Sequence, residues 1–247
     1  MVKIDFGCHV DGYIAVAAHT VVVPDDAAPG PVTGPKADVM NAAYTAAEVA
    51  ARLIKVGNTN KMVTEAMGKI AATYGVTPII GTMMHQMKRY VIDGSKMIML
   101  VEDEATGQKA EECTFEPYEV YAVDVAFSTG EGKPREVDTR TTIFKRQVDK
   151  SYNLKMKGSR TFFSEVVKKA PVFPFTLRSF DDERGAKMGV RECVQHELVQ
   201  PYQVLYERNG DLICHVKFTV LLLPGGTSKV TGLPLPEGQF VSEGKVR

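Results

Sequence analysis

VKIDFGCHVDGYIAVAAHTVVV, residues 2–23, is the stretch whose reading decides the fold. Two apolar runs meet at Asp11-Gly12, and an Asp-Gly step between such runs signals a tight hairpin, because glycine takes positive φ without steric cost. One residue does not suit its strand. Asp5 sits between Ile4 and Phe6. It either points to water on a solvated face or needs a partner, which a metal, a cation or several backbone N–H groups would supply.

Outward from the hairpin, the 247 residues are 44% apolar, enough to bury a sizeable core in one large domain or two small ones. Thirty basic and thirty acidic residues cancel, so any attraction to nucleic acid must come from a local patch. No apolar run reaches the length of a membrane span, and no secretory signal pattern opens the chain. Cys8, Cys113, Cys193 and Cys214 form no CxxC pair, which argues against a zinc module and for reduced thiols in a cytosolic or nuclear protein. Strand-like sequence begins directly at Met1, so the expectation is a domain truncated at its N-terminus.

Downstream, Pro24 to Pro31 reads as a loop, and Thr33 as the N-cap of a helix running to about Lys55. Val39, Ala42, Ala43, Ala46, Val49, Ala50 and Leu53 fall at helical spacing and give it a small-residue face suited to a sheet. A second helix runs from Thr59 or Asn60 to Gly75, with Met67 as core filler. Strands follow at Thr77 to Ile80, Lys96 to Val101, Tyr118 to Phe127 and Arg140 to Arg146. Helices at Tyr152 to Lys169 and Asp181 to Val199 mark a helical insertion. Asn209-Gly210 predicts a second hairpin joining Tyr202–Tyr206 with Leu212–Leu223. The Pro- and Gly-rich tail from Pro224 is expected to wrap the surface. Three strands thus carry an ionisable residue in an apolar setting: Asp5, Asp124 and Lys217. Two acids and one base in one core can neutralise one another.

IDFG at Ile4–Gly7, HQMKRYVIDGSK from His85, YEVYAVDVAFSTGEG from Tyr118, FPFTLRSF from Phe173 and VKFTVLLLP from Val216 follow one another as landmarks. In these the chain resembles the methionine-aminopeptidase-like family, type 2, and most nearly its non-peptidase branch of proliferation-associated, ErbB-receptor-binding proteins. The resemblance covers nearly the whole chain. It implies an α+β pita-bread (creatinase/aminopeptidase-like) fold over 1–147 and 210–247 with its first half incomplete, and a helical, winged-helix-like insertion at 148–209.

Active members of that family hold two divalent ions with five side chains. The resemblance puts the first aspartate at Asp5, the histidine at His85 and a glutamate position at Asp124. The second aspartate falls on Val16 and the last bridging glutamate on Lys217. The family's catalytic histidine falls on Asp93, and its substrate histidine would precede Met1. With both bridging ligands replaced, the expectation is no catalysis, no bound metal and no cofactor, with Lys217 pairing Asp5 and Asp124 where the ions would sit. A metal-dependent methionine aminopeptidase is the competing reading, and a peptide-binding cleft without chemistry a third.

The branch further implies association with ribosomal RNA and the large ribosomal subunit, and roles in ribosome biogenesis, translation and growth-linked transcription. Receptor or transcription-regulator partners, a cytoplasmic and nuclear or nucleolar location and no membrane insertion go with these. Lys155, Lys157, Arg160, Lys168 and Lys169 are the candidate RNA contacts, since cations that neutralise phosphates dominate affinity without a base code. Their alternative is a solvated helix face.

Overall fold

The hairpin forms as two nine-residue strands, β1 (Val2–Val10) and β2 (Tyr13–Val21), in unbroken antiparallel register from Val2 opposite Val21 to Val10 opposite Tyr13. Asp11 (φ 53°) and Gly12 (φ 86°) both lie in the left-handed region, the geometry of a type I′ turn. The computed structural model describes residues 1–23, 30–103, 107 and 109–244, so the loop expected at Pro24–Pro31 lies largely outside the described residues. The chain divides into two compact units, residues 1–134 with 207–247 and residues 135–206.

In the first unit the hairpin leads into α1 (Pro35–Leu53) and α2 (Asn60–Tyr74). The first helix begins one residue beyond the expected cap: Gly34 adopts φ 65° ahead of Pro35, which is preset for the first turn, and Thr33 caps nothing. Gly75, left-handed at φ 65°, ends the second. There follow β3 (Thr77–Pro78), β4 (Met83–Met87), β5 (Met97–Met99) and β6 (Val120–Ser128). The second unit contributes β7 (Arg135–Glu136), β8 (Ile143–Arg146), α3 (Lys157–Lys169), β9 (Phe175–Thr176), α4 (Glu183–Gln195), β10 (Val199–Pro201) and β11 (Leu205–Tyr206). The chain then returns to the first unit as β12 (Ile213–Leu223) and β13 (Gly226–Lys229).

Eight strands of the first unit form one sheet, ordered β1-β2-β12-β6-β4-β5, with β13 beside β12 and β3 beside β6. One sheet face packs on α1 and α2, burying Val125, Phe127, Val216 and Phe218 against Ala43, Ala46, Ala47 and Ala50. Alanine on that helix lets its backbone approach the sheet closely, as the small-residue face predicts. Met67 is fully buried there.

The join between β2 and β12 is unusual, because Lys217 opposite Ala18 is its one ladder pair. Threonine hydroxyls bridge the strands on either side. Thr219 Oγ1 accepts from Val16 N at 2.9 Å and donates to Val16 O at 3.2 Å. Thr20 Oγ1 accepts from His215 N and donates to His215 O, both at 2.8 Å. Both threonines are buried. Removing one hydroxyl strands a buried N–H, so Thr219→Val is expected to cost about 1–3 kcal/mol. Urea unfolding followed by circular dichroism checks this, and a loss below about 0.5 kcal/mol, the scale of a surface change, would contradict it.

Several boundaries differ from the sequence reading. Asn209-Gly210 turns, with Asp211 N bonded to Arg208 O, yet joins no hairpin: β11 pairs with β7, and β12 lies between β2 and β6. The expected surface tail is instead stitched into the sheet, where β13 pairs with β12 from Val220–Lys229 to Leu223–Gly226. Thr227 Oγ1 bonds Ile54 O, and Val32 pairs with Phe240.

The second unit is not purely helical and spans 135–206, starting before and ending before the 148–209 of the sequence reading. Its two helices and two small sheets, ordered β10-β8-β9 and β11-β7, enclose a core of Phe144, Phe162, Phe175, Leu177 and Phe180. The helix expected from Tyr152 starts at Lys157 because the Glu192 carboxylate takes the N–H groups of Lys155 (2.7 Å) and Met156 (3.2 Å). Arg160 meanwhile bonds the carbonyls of Leu154 and Lys155. The helix expected to reach Val199 ends at Gln195, since Leu198 N turns back to Cys193 O and Val199 pairs with Arg146.

Candidate functional site

Four strands bring the charged residues into one row. Asp5 on β1 faces Ala18 on β2, Ala18 faces Lys217 on β12, and Lys217 faces Asp124 on β6. Cross-strand partners share a sheet face, so the four residues line up on one side. The other positions singled out in sequence follow by alternation. Val16 stands two residues before Ala18, and His85 on β4 pairs with Ala122, two residues before Asp124.

Small Ala18 leaves room for the long side chain of Lys217 to pass between its neighbours. Its Nζ lies 2.9 Å from Asp5 Oδ2 and 3.1 Å from Asp124 Oδ2. His215, two residues earlier on the same face, places Nε2 2.7 Å from Asp124 Oδ1. Sequence reading missed His215; the signal available was its i, i+2 spacing from Lys217. Side-chain exposure grades across the row: 13% for Asp124, 17% for Lys217 and 45% for Asp5. The inner pair is thus shielded, while the outer carboxylate is half wet.

Burial works against the ammonium of Lys217, but Asp124 and Asp5 outweigh it and hold its pKa above the usual lysine value. Burial likewise works against the Asp124 carboxylate, but its bonds to His215 and Lys217 prevail and hold it below the usual range. His85 is different. Burial pushes its pKa down, which keeps the imidazole neutral, and its Nδ1 is buried without a hydrogen-bond partner.

These residues do not fit a two-metal centre. The ammonium of Lys217 bonds both carboxylates that would have to face the ions, and Val16 packs with Met87 and Ala122 in an apolar cluster. Asp93, at the family's catalytic-histidine position, is exposed. Among the described residues no group of three or more His, Cys, Asp or Glu is placed to hold a metal ion.

The candidate RNA contacts in the second unit do not all converge. Lys157, Arg160 and Lys168 project from one exposed side of α3 with Thr161 and Ser164. Lys155 precedes the helix. Lys169 turns away to Asp181 Oδ2 at 3.3 Å and to the Phe180 ring. Beside Arg160 a cavity of about 510 Å³ opens, lined also by Tyr152, Asn153 and Phe163.

Comparison with known proteins agrees with this geometry. The model of Metallopeptidase family M24 matches residues 1–144. ERBB-3 binding protein 1 of Solanum tuberosum is 52% identical over 97% of this chain and 60% of its own length. The curved DNA-binding protein of Schizosaccharomyces pombe is 39% identical over 100% of this chain and 64% of its own. The chain therefore spans about three fifths of the length of these relatives. A solved structure of a thermophilic Arx1 superposes with a TM-score of 0.90 at 29% identity, covering 99% of this chain and 70% of that one. The fold is thus the pita-bread fold, and the chain, which is similar to ErbB-3-binding and proliferation-associated proteins, belongs to metallopeptidase family M24.

Proposed function

We propose that the chain is a non-catalytic binding protein of this family, which docks on ribosomal RNA of the large ribosomal subunit and acts in ribosome biogenesis and translation. The observation that carries the non-catalytic half is the ammonium of Lys217 held between Asp5 and Asp124. A fixed cation there repels the divalent ions an aminopeptidase needs to generate its nucleophile. Removal of initiator methionine, the alternative, has nothing comparable in its favour.

The RNA half is supported by the exposed cationic side of α3 in a chain of zero net charge, and by the similarity to the proliferation-associated proteins. One relative's name reports DNA binding by that protein. Lys157, Arg160 and Lys168 are the proposed phosphate contacts, with Lys155 and Lys169 at the margin. A role in growth-linked transcription, receptor partners, and a cytoplasmic and nuclear or nucleolar location belong to the same proposal; among the described residues no helix is long and apolar enough to cross a membrane. Co-sedimentation with purified large subunits tests it. Saturable binding that weakens with salt is expected, and no binding at low salt would overturn it.

A further inference from the structure

We propose that Asn209 is a site of spontaneous modification, where the chain passes through a cyclic imide to aspartate and isoaspartate and becomes a substrate for enzymes that methylate isoaspartyl carboxylates. The ring closes when the next residue's backbone nitrogen attacks the asparagine side chain, and glycine leaves that nitrogen unshielded. Of the five asparagines in the sequence, Asn209 alone precedes glycine.

Hydrogen bonding sets this step apart from its rivals. The Asn41 carboxamide bonds Ala37 O and that of Asn58 bonds Leu53 O, while Asn60 donates to Met97 O and Glu111 O and accepts from Lys61 N and Cys113 N. Asn153 precedes leucine. Two Asp-Gly steps can form the same imide with loss of water, but in each the glycine nitrogen is engaged. Gly12 N donates to His9 Nδ1 at 3.3 Å, and Gly94 N to Gln86 O at 2.8 Å. Among the described residues, neither the Asn209 side chain nor Gly210 N makes a hydrogen bond.

The step lies outside every helix and strand, in a turn with Gly210 at φ 99° that the bond from Asp211 N to Arg208 O closes at 3.1 Å. The chain is anchored on both sides of it. Arg208 pairs with Glu131 Oε1 at 2.6 Å, Leu212 N donates to Thr129 Oγ1 at 2.9 Å, and Leu212 O accepts from Thr129 N at 3.0 Å. Rotating the Asn209–Gly210 peptide toward the side chain therefore breaks the turn's closing bond and leaves β12 in place.

Water is the co-reactant the step needs. Gly210 N gives its proton to solvent base and attacks Asn209 Cγ; the Cγ–Nδ2 bond breaks and ammonia leaves. Water then opens the imide. Cleavage of the new bond to Cγ gives aspartate on an ordinary backbone. Cleavage of the bond between Gly210 N and the main-chain carbonyl carbon routes the backbone through Cβ and Cγ, as isoaspartate. Either product adds a negative charge. With both anchors fixed, the extra backbone carbon of isoaspartate is taken up in the turn, at the expense of the Asp211 N–Arg208 O bond.

Incubating the full chain in mildly alkaline buffer, then mapping the tryptic peptide Asn209–Lys217 by mass, tests the proposal. The peptide is expected to gain about 1 Da and to split into two products. The isoaspartyl product takes a methyl group from an isoaspartyl methyltransferase, and peptides holding Asn41, Asn58, Asn60 and Asn153 stay unchanged over the same period. Gly210→Ala, whose added methyl group hinders the attacking nitrogen, is expected to slow conversion roughly tenfold. Asn209→Gln, which must close a larger ring, is expected to abolish it. The same incubation in urea separates structure from sequence: the native rate is expected to lie within about tenfold of the unfolded one. Stronger protection in the native chain, earlier conversion at another asparagine, or a rate indifferent to Gly210→Ala overturns the proposal.

Discussion

Replacing Lys217 with methionine is expected to destabilise the first unit by about 3 kcal/mol, the lower end of the cost of removing one partner from a buried ion pair. The lower end applies because Asp124 keeps its bond to His215 and because Asp5, 45% exposed, recovers water. Methionine has nearly the length of the lysine stem, so lost packing contributes little. The chain has no tryptophan, which makes far-ultraviolet circular dichroism in urea the natural readout. Adding Asp124→Asn should return much of the loss, since the stranded charge is gone. A second substitution that merely adds its own cost would show that the pairing contributes nothing.

The same pair sets a pH window. Lys217 has a raised pKa in the folded chain, so its contribution is complete below the unfolded lysine value of about 10.4 and is lost as pH climbs through the raised one. Asp124 has a lowered pKa, so its contribution is complete above about 3.9 and is lost as pH falls through the lowered one. His85 adds an earlier acid limb. Its folded pKa lies below the unfolded 6.5, so stability begins to fall as pH drops below about 6.5, where the unfolded chain takes up the proton first. A stability profile flat from pH 6.5 down to 4 would contradict that reading of His85.

Charge reversal on α3 carries the second large effect. Lys157→Glu with Lys168→Glu is expected to weaken binding to large-subunit RNA by about a hundredfold at 100 mM salt, and to flatten the salt dependence by about two cation contacts. This pair is cleaner than one that includes Arg160. The Arg160 guanidinium bonds Leu154 O and Lys155 O, so its loss also disturbs the start of the helix. Lys169→Glu should matter less, because Lys169 is already engaged with Asp181. Unchanged affinity and an unchanged salt slope for the double variant would remove α3 from the proposal.

The sequence spoke most clearly where the signal was local. Asp11-Gly12 dictates its own turn, and Gly75 ends its helix whatever surrounds it. Asp5, Asp124 and Lys217 stood out because each breaks an apolar strand, and a charge in such a place demands a partner. His215 drew no notice, since a histidine between Cys214 and Val216 offends no local rule; only the position of β12 beside β6 gives it Asp124. Asn209-Gly210 misled for a related reason: a turn dipeptide specifies a bend but not which strands the flanking residues join. The late start of α3 depends on Glu192, some 36 residues away along the chain.

The central claim is that the cation of Lys217 stands where this family's metal ions would be bound. Metal analysis of the purified chain, after equilibration with manganese or cobalt and exhaustive dialysis, tests it directly. The account predicts no stoichiometric divalent metal. Metal retained in stoichiometric amount, and lost on Asp5→Ala or Asp124→Ala, would contradict it.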